Sequence, residues 1–434
     1  MSPPEWIANA RLLDPGRDYD GPGGLLHQNG AILDAGPALL QPPAGFTGRV
    51  LDADGLLLAP ALVDMRVVVG EPGEEHKETF KSAGRAAAAG GVGTIVVQPN
   101  THPVIDDVSL VDFVLRRAAA RTRVRVLPAA AITKGLAGQQ MAEIGLLAEA
   151  GAVMFAHGEQ PIADSQVLRR ALSYAKAFGA LLAHRPEDPY LARGGVMHAG
   201  EFAGRLGLRG VPVAAETIGV GRDLALAELS GGRLLLDMLS SAASLEPLAR
   251  AKAKGLSVHA SVSIHHLALN EIDIGDYRTF AKLSPPLRSE EDRMALGEAA
   301  ASGLIDVIVS GHDPHPPENK RLPFDEAAFG AAALETLLPG LISLYLSGAA
   351  SLCALWRAAS LNPARILGLP QGRLEPGAPA DLVLVDPDAP FRCEAERLLS
   401  KSRNTPFDGR LLQGQVRRTL VGGETIFTRE AGAA

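Results

Sequence analysis

Between residues 59 and 365 the chain alternates short apolar runs with Ala- and Leu-rich stretches. The runs are Ala61–Val69, Thr94–Gln98, Val124–Ala129, Ala152–Phe155, Ala180–Ala183, Arg233–Met238, Ser257–Val262 and Asp306–Val309, eight in all. Continuous apolar runs bounded by turn residues predict strands buried on both faces. Between them, Val111–Ala120, Gln139–Ala150, Ser165–Phe178, Arg222–Leu229 and Ser289–Ala301 carry helical spacing and good helix formers. Eight such units over about 250 residues predict an α/β fold, a TIM-like (β/α)8 barrel. A doubly wound open sheet is the rival. No GxGxxG opens a helix after the first run, so a dinucleotide site has no support.

The two ends read differently. Gly24–Gln28 and Ala31–Ala35 flank Asn29-Gly30, a strong hairpin signal, and Val416–Val421 and Glu424–Thr428 flank Gly422-Gly423. Ala380–Asp386 adds a further apolar strand. Chain ends commonly lie close together, so both belong to one small β lobe. The expected organisation is 1–58 as the N-terminal part of that lobe, 59–365 as the barrel, and 366–434 as the C-terminal part. From Phe329 to Trp356 the only charge is Glu335, which raises a membrane span. Pro339-Gly340, Gly348 and three serines interrupt it, so two buried helices joined by a turn are expected instead.

Composition narrows the function. Forty-two basic against 49 acidic residues give a net charge of −7, and aromatics are 4%. Neither suits nucleic acid, which requires a basic face and stacking platforms. Cys353 and Cys393 stand in no CxxC pattern and cannot build a disulfide framework, which suggests a reducing, cytoplasmic setting. No basic start followed by an apolar run marks a secretory signal.

In a TIM-like barrel the chemistry sits at the C-terminal strand ends. Here those ends carry Arg66-Val-Val68, Asn100, His157, His184, Met238, His265-His266 and Gly311-His312. Nine segments then resemble, in order, the type I dihydroorotases of the amidohydrolase superfamily. They are Pro60–Asp64, Glu71-Pro-Gly-Glu-Glu-His-Lys-Glu-Thr79, Gln98-Pro-Asn-Thr101, Ala131–Leu136, Ala183-His184 with Glu187-Asp188, Ser284-Pro-Pro-Leu-Arg-Ser289, His312-Asp-Pro-His315, Asn362–Arg365 and Ser400–Phe407. The resemblance implies ring-opening of dihydroorotate to carbamoyl aspartate at one or two zinc ions.

The ligand positions that the resemblance implies are altered. Its His-x-His falls on Arg66 and Val68, its metal-bridging Asp on His157 or Gly158, its strand-six His on Met238 and its strand-eight Asp, the catalytic base, on Gly311. Only His184 keeps its residue type. A catalytic zinc needs three N, O or S ligands and an open position. Val and Gly offer none, and Arg66 brings a fixed positive charge. Asp237 precedes Met238 by one, so strand alternation turns it to the opposite layer. No metal, cofactor or catalytic residue is therefore expected, with zinc only if the chain is active after all.

The carboxylate clamp is altered too, since the family's Arg falls on Gly70 and its Asn on Ser284. Asn100, Arg288 and His315 remain as remnants of the substrate pocket. Arg288 could hold an anion, but a pair with Glu290 or Asp292 is the plainer expectation. His184 reads as a hydrogen-bonded core histidine, and His265, His266 and His312 as packing or capping groups.

The resemblance, with its most altered members inactive, implies a non-catalytic subunit that supports assembly of aspartate carbamoyltransferase, in a homo- or hetero-oligomer. The alternatives are an active dihydroorotase or other cyclic amidohydrolase with a rebuilt zinc site, and a stand-alone small-molecule binder.

Overall fold

The computed structural model describes residues 3–429. Its N-terminal strands are β1 (Glu5–Asp14), β2 (Tyr19–Gln28), β3 (Ala31–Gly36), β4 (Arg49–Asp52) and β5 (Leu57–Pro60). The barrel follows as β6 (Leu62–Val67), β7 (Val92–Val97), β8 (Arg125–Ala131), β9 (Met154–Ala156) and β10 (Leu181–His184). A short side pair, β11 (Met197–His198) and β12 (Gly210–Val211), precedes β13 (Arg233–Leu236), β14 (Val258–Ser263) and β15 (Val307–Val309). The C-terminal strands are β16 (Leu382–Arg392), β17 (Leu411–Val421) and β18 (Glu424–Thr428).

Eight strands form one parallel sheet in the order β6-β7-β8-β9-β10-β13-β14-β15, each matching one of the eight apolar runs. The sheet closes just beyond β15, where Val67 bridges His312 in parallel and the Val68 N–H donates to the His312 carbonyl at 2.8 Å. The Ser310 N–H donates to Asp64 at 3.2 Å at the same seam. Alternation sorts the side chains. Met65, Val96, Met154, Ala183, Leu235 and Val309 fill the barrel, while Leu62, Ile95, Phe155, Leu182 and Leu236 face the helices.

The lobe is a second sheet, ordered β18-β17-β16-β5-β1-β2-β3, with β4 parallel to β1. Both hairpins form at the expected dipeptides, and Asn29 and Gly30 take the left-handed backbone that the turn requires, at φ 50° and 82°. β5 joins the halves by pairing antiparallel with β16.

Two helices differ from expectation. The stretch from Gln139 becomes helical only over Ile144–Glu149, because Gln140 and Ala142 hydrogen-bond back to Lys134 and Ile132. The Arg222 helix begins at Val213 and runs to Ser230, taking in Gly219 and Gly221. The apolar stretch 329–356 does split, into Leu337–Leu346 and Leu352–Trp356 around a left-handed Gly348. Among the described residues no helix is long and apolar enough to cross a membrane. Cys353 and Cys393 are both buried and unpaired.

Two of the family-like segments hold each other. Fully buried Glu78 accepts from the Ser400 hydroxyl and from the Lys401 N–H at 3.2 Å, and the Ser402 hydroxyl donates to the Lys77 carbonyl at 2.7 Å. Gly73 lets this loop turn. Its φ is 96°, and a β-carbon there would sit 1.8 Å from the His102 carbonyl oxygen. Gly73→Ala is expected to destabilise the fold by about 3 kcal/mol, combining backbone strain with overpacking. Urea unfolding checks this, and a loss below about 1 kcal/mol would mean the loop can shift to make room.

Candidate functional site

Arg66, at the end of β6, is 2% exposed. Its Nε donates to Asp237 Oδ2 at 2.8 Å, and Nη2 lies 3.9 Å from Glu159. Asp237 also accepts from the Ser261 hydroxyl at 3.1 Å. This corrects the expectation that Asp237 faces away. Leu235 points into the barrel, so alternation sends Asp237 inward too. Met238 breaks the alternation, because its backbone is left-handed at φ 59° and its side chain joins the interior cluster as well. A guanidinium and its carboxylate thus occupy the strand ends where the resemblance implies metal ligands.

His184 ends β10 with the parity of Leu182, toward the helix Val213–Ser230. There its Nδ1 donates to Asp223 at 2.6 Å, while Nε2 accepts from the Ile162 N–H at 2.8 Å. Because a backbone N–H can only donate, Nε2 carries the lone pair and Nδ1 the proton. Both nitrogens are therefore engaged. His157 is similarly held, by the Thr133 hydroxyl and the Gln160 carbonyl, each at 2.7 Å. Burial pushes its imidazole down to about 4.

At Gly311, with φ 66°, a β-carbon would lie 3.0 Å from Ser263 Cβ and 3.7 Å from Met238 Sδ. The family's carboxylate would thus meet a crowded wall. Gly158 sits against Asn100, and Val68 contributes only its backbone N–H. Among the described residues no three His, Cys, Asp or Glu side chains assemble into a group able to hold a metal. The residues present do not fit a catalytic zinc.

The pocket remnants divide. The Asn100 Oδ1 is buried with no hydrogen-bond partner. The His315 N–H donates to Asn404 at 2.8 Å, and its ring lies 3.6 Å from Asp313. Arg288 pairs with neither Glu290 nor Asp292, which corrects the expected pairing. Glu290 takes Arg293 and Asn270, and Asp292 accepts from Ser241, Ala242 and Ser289. Arg288 instead donates to Ser240 Oγ at 3.1 Å and the Val211 carbonyl at 2.7 Å, with Glu216 at 4.0 Å. Ser284 accepts from Arg185 at 2.8 Å.

Sequence reading missed a further set of charges, Arg185, Glu216 and Asp223 buried and Glu159 half-buried. Glu159 is pushed up to about 7 by burial and then by Asp313, whose own carboxyl His315 holds down against burial. The one signal for Glu159 and Arg185 was a charge directly after a strand-end histidine segment. Asp223 and Glu216 lie on a helix, where a charge normally reads as solvated. His265 stacks on Phe407 at 5.8 Å, and His266 is bound by Ser263 at 2.7 Å and the Pro285 carbonyl at 3.1 Å. His312 Nδ1 accepts from the Ala333 N–H at 3.0 Å, ahead of the helix Leu337–Leu346.

Comparison with known proteins agrees with this architecture. The amidohydrolase family profile matches residues 209–426. An L-hydantoinase structure from Arthrobacter aurescens superposes with a TM-score of 0.87 at 25% identity, over 98% of this chain and 96% of that one. The chain belongs to the amidohydrolase family. A dihydro-orotase-like profile matches residues 55–244. A protein named dihydroorotase from Anaeromyxobacter dehalogenans is 41% identical over 428 residues, 98% of each chain. Another from Pelotomaculum thermopropionicum is 43% identical over 380 residues, 87% of this chain and 88% of its own. Within the amidohydrolases, this is a member of the dihydroorotase family.

Proposed function

We propose that this dihydroorotase-family chain does not hydrolyse a cyclic amide at a metal centre and works instead through association, as an assembly subunit for aspartate carbamoyltransferase in the cytoplasm. The Arg66–Asp237 pair carries the non-catalytic part of this reading. A buried guanidinium repels a dication, and it takes up the Asp237 carboxylate at the end of β13. His184 supports it further, since its lone pair is already accepting an N–H. The framework segments, by contrast, remain tightly bound to one another. A chain kept for its contacts needs the framework and not the metal.

The second reading is an active dihydroorotase or other cyclic amidohydrolase. The names of the relatives favour it, at 41% identity over 98% of the chain. It requires zinc ligands outside the family's positions.

The two readings separate on purified, zinc-supplemented protein. We expect no stoichiometric zinc after dialysis and no dihydroorotate turnover above background. Enzymes of this kind exceed background by at least ~10⁶-fold, so the contrast is clear. Retained zinc that is lost in His184→Ala, together with turnover, would favour the enzyme. For association, the chain is co-expressed with aspartate carbamoyltransferase and run on size-exclusion chromatography. Co-elution is expected, since a stable interface buries at least ~1,000 Å². A transferase that assembles and works equally well alone, and never co-elutes, would refute the assembly role.

A further inference from the structure

Away from the barrel mouth, a cavity of about 270 Å³ opens between the β16–β17 hairpin and the start of the helix Leu337–Leu346. Its walls are apolar, formed by Ala89, Pro339, Phe391, Leu398 and Val416. Five charged residues also line it, Glu335, Arg392, Glu394, Arg397 and Arg429, of which Arg392 donates to the Gly409 carbonyl at 2.8 Å. Glu335 and Arg429 influence each other electrostatically but form no ion pair. Glu335 Oε1 accepts from the Leu399 N–H at 2.6 Å and the Ser400 N–H at 3.3 Å. The Arg429 Nε–H is buried and has no acceptor, and its guanidinium rests over the Phe427 ring at 5.7 Å. The other nearby acid, Glu394, is taken by Arg397 at 2.7 Å.

The Glu335 carboxylate and the Arg429 guanidinium are half-buried in the lining of one cavity, and the buried Arg429 Nε–H is costly to leave without an acceptor. Burial pushes Glu335 up to about 7 and Arg429 down, which marks both as undercompensated. A bare cation would satisfy Glu335 and repel Arg429, and a bare anion would do the reverse. A molecule with both charges and a compact apolar body compensates the pair and fills the walls.

We propose that this cavity binds a small apolar amino acid, its ammonium on Glu335 and its carboxylate on Arg429. The site is independent of whether the barrel mouth is catalytic.

Isothermal titration calorimetry on the full chain tests this with L-leucine, isocaproate and isoamylamine, the last two each lacking one charge. Leucine should bind saturably, and each analogue at least ~10-fold more weakly, the worth of one charge-assisted contact. Glu335→Gln keeps the acceptor for Leu399 and Ser400, and Arg429→Met lies at the edge of the sheet, so both should fold with unchanged unfolding midpoints. Glu335→Gln should weaken leucine about 10-fold and leave isocaproate unchanged, and Arg429→Met should weaken leucine about 10-fold and leave isoamylamine unchanged. No saturable leucine binding, binding of an analogue as tight as leucine, or indifference of leucine to both substitutions would each overturn the assignment.

Discussion

Arg66→Met is expected to destabilise the folded chain by about 3–5 kcal/mol, the usual cost of removing one partner from a buried ion pair. The guanidinium is 2% exposed and is the direct partner of Asp237, with Glu159 at 3.9 Å. Without it, Asp237 keeps only the Ser261 hydroxyl, and its charge stays in the barrel mouth. Urea unfolding of the single variant measures the loss. The double variant Arg66→Met, Asp237→Leu should recover most of it, because replacing a whole buried pair by apolar groups is often neutral. A loss below about 1 kcal/mol in the single variant would mean that water reaches the pair and screens it.

The second large effect is acid destabilisation driven by two adjacent imidazoles. Burial holds His265 down to about 3 and His266 down to about 4, the latter also repelled by Arg288 and Arg185 despite its carbonyl partners. Both start from an ordinary value near 6.5 in the unfolded chain. Below that pH the unfolded state takes up protons that the folded state refuses. The stabilising contribution is therefore whole above about 6.5 and falls away as the pH drops toward about 4. Each group gives a slope of about 1.4 kcal/mol per pH unit in that window. Carboxylates titrate there as well, so the readout is the difference between the parent and a His265→Phe, His266→Gln variant. The variant's stability should decline less steeply between pH 6.5 and 4.5, and parallel curves would show that these rings do not govern the acid limb.

How much of this was legible depends on the range of the interaction. The eight barrel strands were readable because each is a local apolar run, and the hairpins because Asn29-Gly30 and Gly422-Gly423 are local turn chemistry. That Arg66, Val68, Met238 and Gly311 stand at altered ligand positions is what the resemblance implies. What these residues do instead was not legible. Asp237 was turned the wrong way because β13 ends at Leu236, and the left-handed Met238 upsets the simple period. The acceptors of Arg288, the Val211 carbonyl of β12 and Ser240 in the loop after β13, lie on distant segments, and nothing in the sequence near Arg288 announces them. His184 was expected to be a bonded core histidine, but Asp223 as its partner emerges only when helix meets strand.

The pairing of β5 with β16 also constrains how the protein is made. Pro60 meets Leu382, and Leu57 meets Val385, so one edge of the early strands waits until β16, beyond the whole barrel, has been synthesised. Until residue 385 has left the ribosome, Leu57, Leu58 and Ala59, all fully buried in the finished fold, lie on an unpaired strand edge. Such an edge invites pairing with other nascent chains. Ribosome-stalled or prematurely terminated products should therefore aggregate or be captured by chaperones even when they contain every barrel strand, and solubility should return only once translation has passed β16.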